Sequence, residues 1–267
     1  MTDFFDAFIK NWEFFLLLFL RISGLIFSSP IFGRTNIPNI VKIGYCSCIA
    51  VLFFMSAPQI AEQMAVFDYG GDILLFILLC IKELLFGVVL AYVLNLFFQM
   101  LAFTAGQMID MQMGFGMVNV FDVQSNLSIP MIGNFLNIIM LLVFFAVRGY
   151  EHLLRIMALT IEQIPIGGVT FDPQIGWVAL QLFIEVFLLA AIVAMPIIGA
   201  GLLGEACFGI LMRMVPQMNA FSIGIPVKII LGFLVLLALI PVYVNFMPQV
   251  FEQMFDGLEQ MFAALTG

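Results

Sequence analysis

From Ile73 to Ala105 the chain is apolar, with Lys82 and Glu83 its only charged residues. As a single helix this run would rise about 50 Å, more than the roughly 30 Å of a hydrocarbon core. It must tilt, break or extend beyond the bilayer. Comparable runs are Phe14–Ile31, interrupted by Arg21; Ile43–Ala57; Met131–Val147; Ile175–Gly204, with Glu185 inside and Pro196 as an expected kink; and Ile229–Phe251, which holds Pro241 and Pro248. Asp3–Glu13, Leu153–Ile164 and the acidic tail from Glu252 are too short or too polar to span, and suit interfacial or amphipathic helices. Hydrophobic residues make up 64% of the chain and charged residues 10%, with a mean hydropathy of +1.17. A soluble domain carries roughly 25% charged residues.

Between two of these runs lies Gly106–Pro130, GQMIDMQMGFGMVNVFDVQSNLSIP, which is richer in glycines, polar groups and methionines than the runs on either side. Gly106, Gly114 and Gly116 make a regular helix costly, at about 1 kcal/mol each relative to alanine. Met108, Met111, Met113 and Met117 are unbranched and adaptable, suited to a surface that must seal and then repack. Irregular backbone at membrane depth persists only where protein buries it or water bathes it. The stretch, with Phe115 at its centre, therefore reads as a pore lining, a plug or a binding site, against the plainer reading of a loop whose methionines only pack. The expected fold is an all-α integral membrane protein. It has about six long apolar helices plus short interfacial helices, arranged as kinked helical hairpins, with a Gly/Met-rich plug-like loop. No internal repeat or low-complexity linker divides residues 1–267, which read as one domain.

The charges inside the runs are Arg21, Lys82, Glu83 and Glu185. Each is expensive in lipid and must face a partner or an aqueous cavity. Lys82 and Glu83 are adjacent, so on a helix they diverge by about 100° and do not pair with each other. Basic residues cluster in two connectors, Arg34 with Lys42 and Arg213 with Lys228. With six crossings this places both connectors in the cytoplasm and both termini outside, with Arg148 and Arg155 against the trend.

Several functions find no support. A net charge of −8 does not suit nucleic acid. Cys46, Cys48 and Cys80 lie in apolar runs and Cys207 in apolar surroundings, all far in sequence from His152, the one histidine, so buried inert thiols are expected and no metal or other cofactor. The N-terminus carries Asp3, Asp6 and Glu13 where a cleaved leader would be basic, so the first run is expected to be retained. Asp110 and Asp122 could suggest an intramembrane aspartyl protease, but that chemistry needs two carboxylates facing across a cleft, and helix caps or surface carboxylates explain them better. No nucleophile elbow or Walker motif is present, so no enzyme is expected. A small-solute secondary transporter could use Gly106–Gly116 and Pro226 as helix breaks, but the two halves show no matching pattern.

Three stretches together resemble the FliR family of the flagellar export gate, the counterpart of the SctT (SpaR/YscT) proteins of virulence type III secretion. The first comprises Arg21-Ile22-Ser23-Gly24-Leu25, Ser29-Pro30-Ile31-Phe32-Gly33, Ile37-Pro38 and Lys42-Ile43-Gly44. The second comprises Gly106-Gln107 through Met113-Gly114-Phe115, then Gly149-Tyr150-Glu151-His152-Leu153-Leu154 and Pro165-Ile166-Gly167. The third and most specific is the ungapped Pro216-Gln217-Met218-Asn219-Ala220-Phe221-Ser222-Ile223-Gly224-Ile225-Pro226-Val227-Lys228. Its Ser222–Pro226 portion follows the flagellar form, and Tyr150-Glu151 departs mildly, standing where the family often has a more polar or His-rich pair.

The resemblance implies assembly with FliP and FliQ, and contact with FlhB, into the gate through which unfolded flagellar subunits cross the inner membrane of the flagellar basal body. The stretch matching residues 106–122 would project into the channel as a plug. Helices would bury against sister subunits rather than all span lipid, which puts the six-crossing topology in doubt. Arg21, Lys82, Glu83 and Glu185 would then make inter-subunit contacts. So would Pro216, Gln217, Asn219, Phe221, Pro226 and Lys228, unless their segment is only a rigid elbow. Virulence secretion is the alternative system.

Overall fold

A computed structural model describes residues 11–56, 72–115, 130–214 and 220–266, which contain helices and no strand. In chain order they are α1 (Trp12–Ser28), α2 (Asn39–Ser56), α3 (Ile73–Asn95), a π-turn (Leu96–Met100), α4 (Leu101–Met113), α5 (Met131–Ala146), α6 (Gly149–Gln163), α7 (Gln174–Met214) and α8 (Ala220–Thr266). The all-α expectation holds, but the count of spans does not. Among the described residues three helices are long and apolar enough to cross a membrane, Ile73–Met113, Gln174–Met214 and Pro226–Leu265, or up to four if α5 and α6 form one broken span.

The shortfall comes from helices too short to span. With 17 and 18 residues, α1 and α2 rise only about 26 Å each, less than a hydrocarbon core. α5, with 16 residues, is shorter still and bends by 72° into α6. The long helices, by contrast, extend beyond their apolar runs. α7 runs through Pro196 for 41 residues, and α8 runs through Pro226, Pro241 and Pro248 for 47. They rise about 60 and 70 Å. A proline in an apolar helix frees one carbonyl, and neighbouring helices can compensate for it. The long run 73–105 likewise neither ends nor turns back. It passes through the π-turn into α4, a local insertion of the kind that marks functional sites. Between α5 and α6 the turn is only Val147 and Arg148, because Gly149 already opens α6.

The chain forms two compact units. The first comprises Met1–Asn95, Arg148–Leu182 and Glu252–Gly267. Here α1 crosses α3 backbone to backbone: a Cβ on Gly24 would land on Leu84 O, and one on Gly87 on Arg21 O. Leu17, Leu18, Ile22, Phe86 and Leu90 fill the core around this crossing. Asn95 Nδ2 donates to Ser28 O at 2.6 Å, taking up a carbonyl at the end of α1.

A buried ion pair lies next to the crossing. Arg21 Nε and Nη2 donate to the two Glu83 carboxylate oxygens at 2.5 and 3.0 Å, with both side chains removed from solvent. Arg21 Nη1 also donates to Thr160 O at 3.1 Å and Ile164 O at 3.0 Å, and Glu83 accepts from Gly167 N at 2.7 Å. α6 has no basic residue in its last turn, so Arg21 supplies from α1 the cation that its carbonyl end favours. Phe86 stacks beneath the guanidinium at 4.8 Å.

The second unit comprises Leu96–Val147 and Phe183–Phe251. Phe98, Phe144 and Phe251 make an aromatic core with centroids 5.3 to 5.7 Å apart, and Tyr243 Oη donates to Val193 O at 2.8 Å.

Candidate functional site

The Gly/Met-rich stretch lies in the second unit, and its described part is helical rather than irregular. Gly106 sits inside α4 because its missing side chain is used. A Cβ there would fall on the backbone of Gly133 in α5, so the two helices meet with nothing between them. The cost of a helical glycine is thus offset by close packing. Ala102, Ala105, Gly106, Ile109, Asp110 and Met113 form the buried face, at helical spacing. Gln107 and Met111 lie on the other side, with Met111 69% exposed. Met108 and Phe115 are half-buried, and Phe115 packs edge-on to Phe233 of α8 at 5.9 Å. Gly114 ends the helix as expected of a glycine, at φ 89°, where a side chain would be strained. Gly116, Met117 and Asp122 lie outside the described residues.

Asp110 is 5% exposed and is neither a surface carboxylate nor half of a described pair. Its Oδ1 accepts from Ile132 N at 3.4 Å, at the start of α5, where Pro130 offers no side-chain cap. It therefore caps α5 from a neighbouring helix and places a negative charge at the positive end of that helix dipole. Asp110→Asn keeps an acceptor and should cost less than about 1 kcal/mol, while Asp110→Ala should cost about 1–2 kcal/mol. Thermal unfolding of the solubilised protein checks both.

The last turn of α4 is seated on α7 and α8 through two further glycines. A Cβ on Gly201 would come within 2.6 Å of Gln112 Cγ, and one on Gly232 within 2.5 Å of Met113 Cγ. Gln112 Nε2 donates to Glu205 Oε1 at 3.4 Å, and the same oxygen accepts from Lys228 Nζ at 2.7 Å. Ile197 and Leu231 complete the wall of the small cleft at this point.

Of the residues expected to contact sister subunits, Arg21 pairs with Glu83 and Lys228 with Glu205 inside this chain. Lys82 is half-buried, and Glu185 and Pro226 are exposed. Pro216, Gln217 and Asn219 lie outside the described residues, and Phe221 belongs to α8. The expected elbow is helical from Ala220 onward. Of the four thiols only Cys46 is buried; Cys48 and Cys207 are exposed and Cys80 is intermediate. Among the described residues no three His, Cys, Asp or Glu side chains gather as a metal site needs.

Known proteins resemble the chain along nearly its whole length. The flagellar biosynthetic protein FliR of Bacillus subtilis (strain 168) is 28% identical over 97% of this chain and 98% of its own. That of Escherichia coli (strain K12) is 27% identical over 96% and 97%. The surface presentation of antigens protein SpaR of Shigella sonnei is 25% identical over 85% and 88%. The family described as bacterial export proteins, family 1, matches residues 12–254, from the start of α1 into α8, and the chain belongs to that family.

Proposed function

We propose that this chain is a subunit of the flagellar type III protein export gate, a non-enzymatic channel component of the bacterial inner membrane in the flagellar basal body. It assembles with FliP and FliQ, contacts FlhB, and passes unfolded flagellar subunits, with residues 1–267 acting as one export-gate domain. The observation that carries this is the family match across 12–254, together with flagellar relatives matched almost end to end. The relative from the virulence branch is less similar and less completely covered, so the flagellar system is preferred. The surface agrees with a life inside an assembly. Ile73, Leu74, Trp177, Leu203 and Met214 are all more than 70% exposed, and lipid or apolar partners must cover them. Lys82, Glu185 and the Pro226 face are the positions we assign to sister subunits.

The plug role of residues 106–122 is refined by the packing of α4. Gly106 and Ile109 hold the second unit together and Met113 is buried in the last turn of α4, so the part exposed to line or block a channel is Met108, Met111 and the stretch from Gly114 onward. An apolar constriction of this kind can stop ions yet yield to an extended polypeptide. Replacing residues 115–122 with a short Gly/Ser linker should leave assembly intact and raise ion leak through the purified gate in proteoliposomes. Unchanged ion tightness in a fully assembled complex would refute the plug.

A further inference from the structure

On the reading of residues 106–122 as a plug, we infer that Glu205 and Lys228 are positioning residues for it, acting through Gln112 as a latch that holds the last turn of α4 against α7 and α8. Three observations converge on that turn. Lys228 Nζ and Gln112 Nε2 share one oxygen of Glu205, at 2.7 and 3.4 Å, so one carboxylate ties α4, α7 and α8 together. Gln112 and Met113 occupy hollows that exist only because positions 201 and 232 lack a Cβ. Gly114 follows at φ 89°, which ends the helix one residue beyond the latch. Whatever fixes Gln112 and Met113 therefore fixes the origin of the Gly/Met-rich stretch.

The latch is built to be broken. The ion pair is only partly buried, with side-chain exposures of 32% for Lys228 and 41% for Glu205. Such pairs are weak beside fully buried ones, and water can replace their partners without leaving a bare charge in a dry core. The atoms seated at the two glycines belong to flexible glutamine and methionine side chains rather than backbone, so they can leave without dismantling the unit. By contrast, the Gly106–Gly133 contact behind the latch joins backbone to backbone and cannot yield in that way. The arrangement separates a fixed half of α4 from a releasable end, whose detachment an arriving polypeptide or a moving neighbour would promote.

The test uses the complete export complex in proteoliposomes, with collapse of a potassium diffusion potential as the readout. Lys228→Glu sets two carboxylates together and should raise leak roughly ten-fold, through a shift of the latched population. Adding Glu205→Lys restores the pair with its charges exchanged and should return leak close to the original, because the Gln112 amide can turn its oxygen to the new lysine. Gly201→Ala keeps every charge and improves helix propensity, yet displaces Gln112. It should raise leak several-fold while thermal stability holds or rises, a combination that loss of structure does not give. If Lys228→Glu fails to assemble, Gly201→Ala decides alone. The linker replacement of residues 115–122 separates the two ideas. Leak from that variant with none from Lys228→Glu or Gly201→Ala would overturn the latch and keep the plug. No leak even from that variant would remove the plug and the latch with it. Leak that Glu205→Lys does not reverse would also overturn the latch.

Discussion

Replacing Glu83 with leucine should destabilise the chain by about 3–5 kcal/mol, enough to stop it accumulating in membranes, because it strands a buried guanidinium. Arg21 and Glu83 are 3% and 0% exposed, and every donor and acceptor between them is used. Removing the carboxylate also orphans Gly167 N, which donates to it at 2.7 Å. Exchanging the charges, Arg21→Glu with Glu83→Arg, should not rescue. The site on α1 must donate to Thr160 O and Ile164 O at the end of α6, and a carboxylate there would face carbonyl oxygens instead. Arg21→Lys should keep only part of the stability, since a single ammonium cannot reproduce the two-pronged contact with Glu83 and also reach two carbonyls. Quantitative immunoblotting of membranes, with a temperature series on the solubilised protein, reads all three variants. Full recovery by the exchanged pair would mean that attraction alone is needed and that capping of α6 is incidental.

Gly106→Val should be about as damaging, at more than about 3 kcal/mol. Its Cβ would coincide with Gly133 backbone, which has no rotamer to change, so α4 and α5 would have to separate. The loss would extend to Asp110, whose cap on Ile132 depends on the same approach. Gly209→Ala and Gly199→Ala supply the control, because a Cβ at either position in α7 meets nothing within 4 Å. They should be neutral within this chain or stabilise it by up to about 1 kcal/mol through helix propensity. A thermal unfolding series on the solubilised protein orders the four glycine positions discussed: 106 far below the parent, 201 at or above it, and 199 and 209 at or above it. If Gly106→Val matched Gly209→Ala, the close crossing of α4 and α5 would be wrong.

Glycine and proline are also where the sequence was hardest to read. A glycine in an apolar run registers as a propensity penalty, and nothing local distinguishes Gly106, which lies against another backbone, from Gly209, which meets nothing. Pro196 and Pro226 carry the signal of a break, yet α7 and α8 continue through both, because lost local hydrogen bonds are small against the apolar contacts of such long helices. Counting runs gave too many spans for another reason: the runs at α1, α2 and α5 fold as helices of 17, 18 and 16 residues. The in-run charges were more informative. Arg21 and Glu83 announced a buried partner, but their separation of 62 residues hid that each was the other's. The Gly/Met-rich stretch stood out in composition, and its glycine end at Gly114 was legible from turn chemistry. The latch at Gln112, Glu205 and Lys228 was not, since three polar residues on three different helices share no spacing pattern.

The most direct test of the export-gate assignment is to co-express the chain with its candidate FliP and FliQ partners and weigh the detergent-solubilised particle by native mass spectrometry. The expected result is this chain within a stable complex containing both partners, which covers the apolar faces of α3 and α7. A well-behaved monomer or homodimer that ignores FliP and FliQ would contradict it.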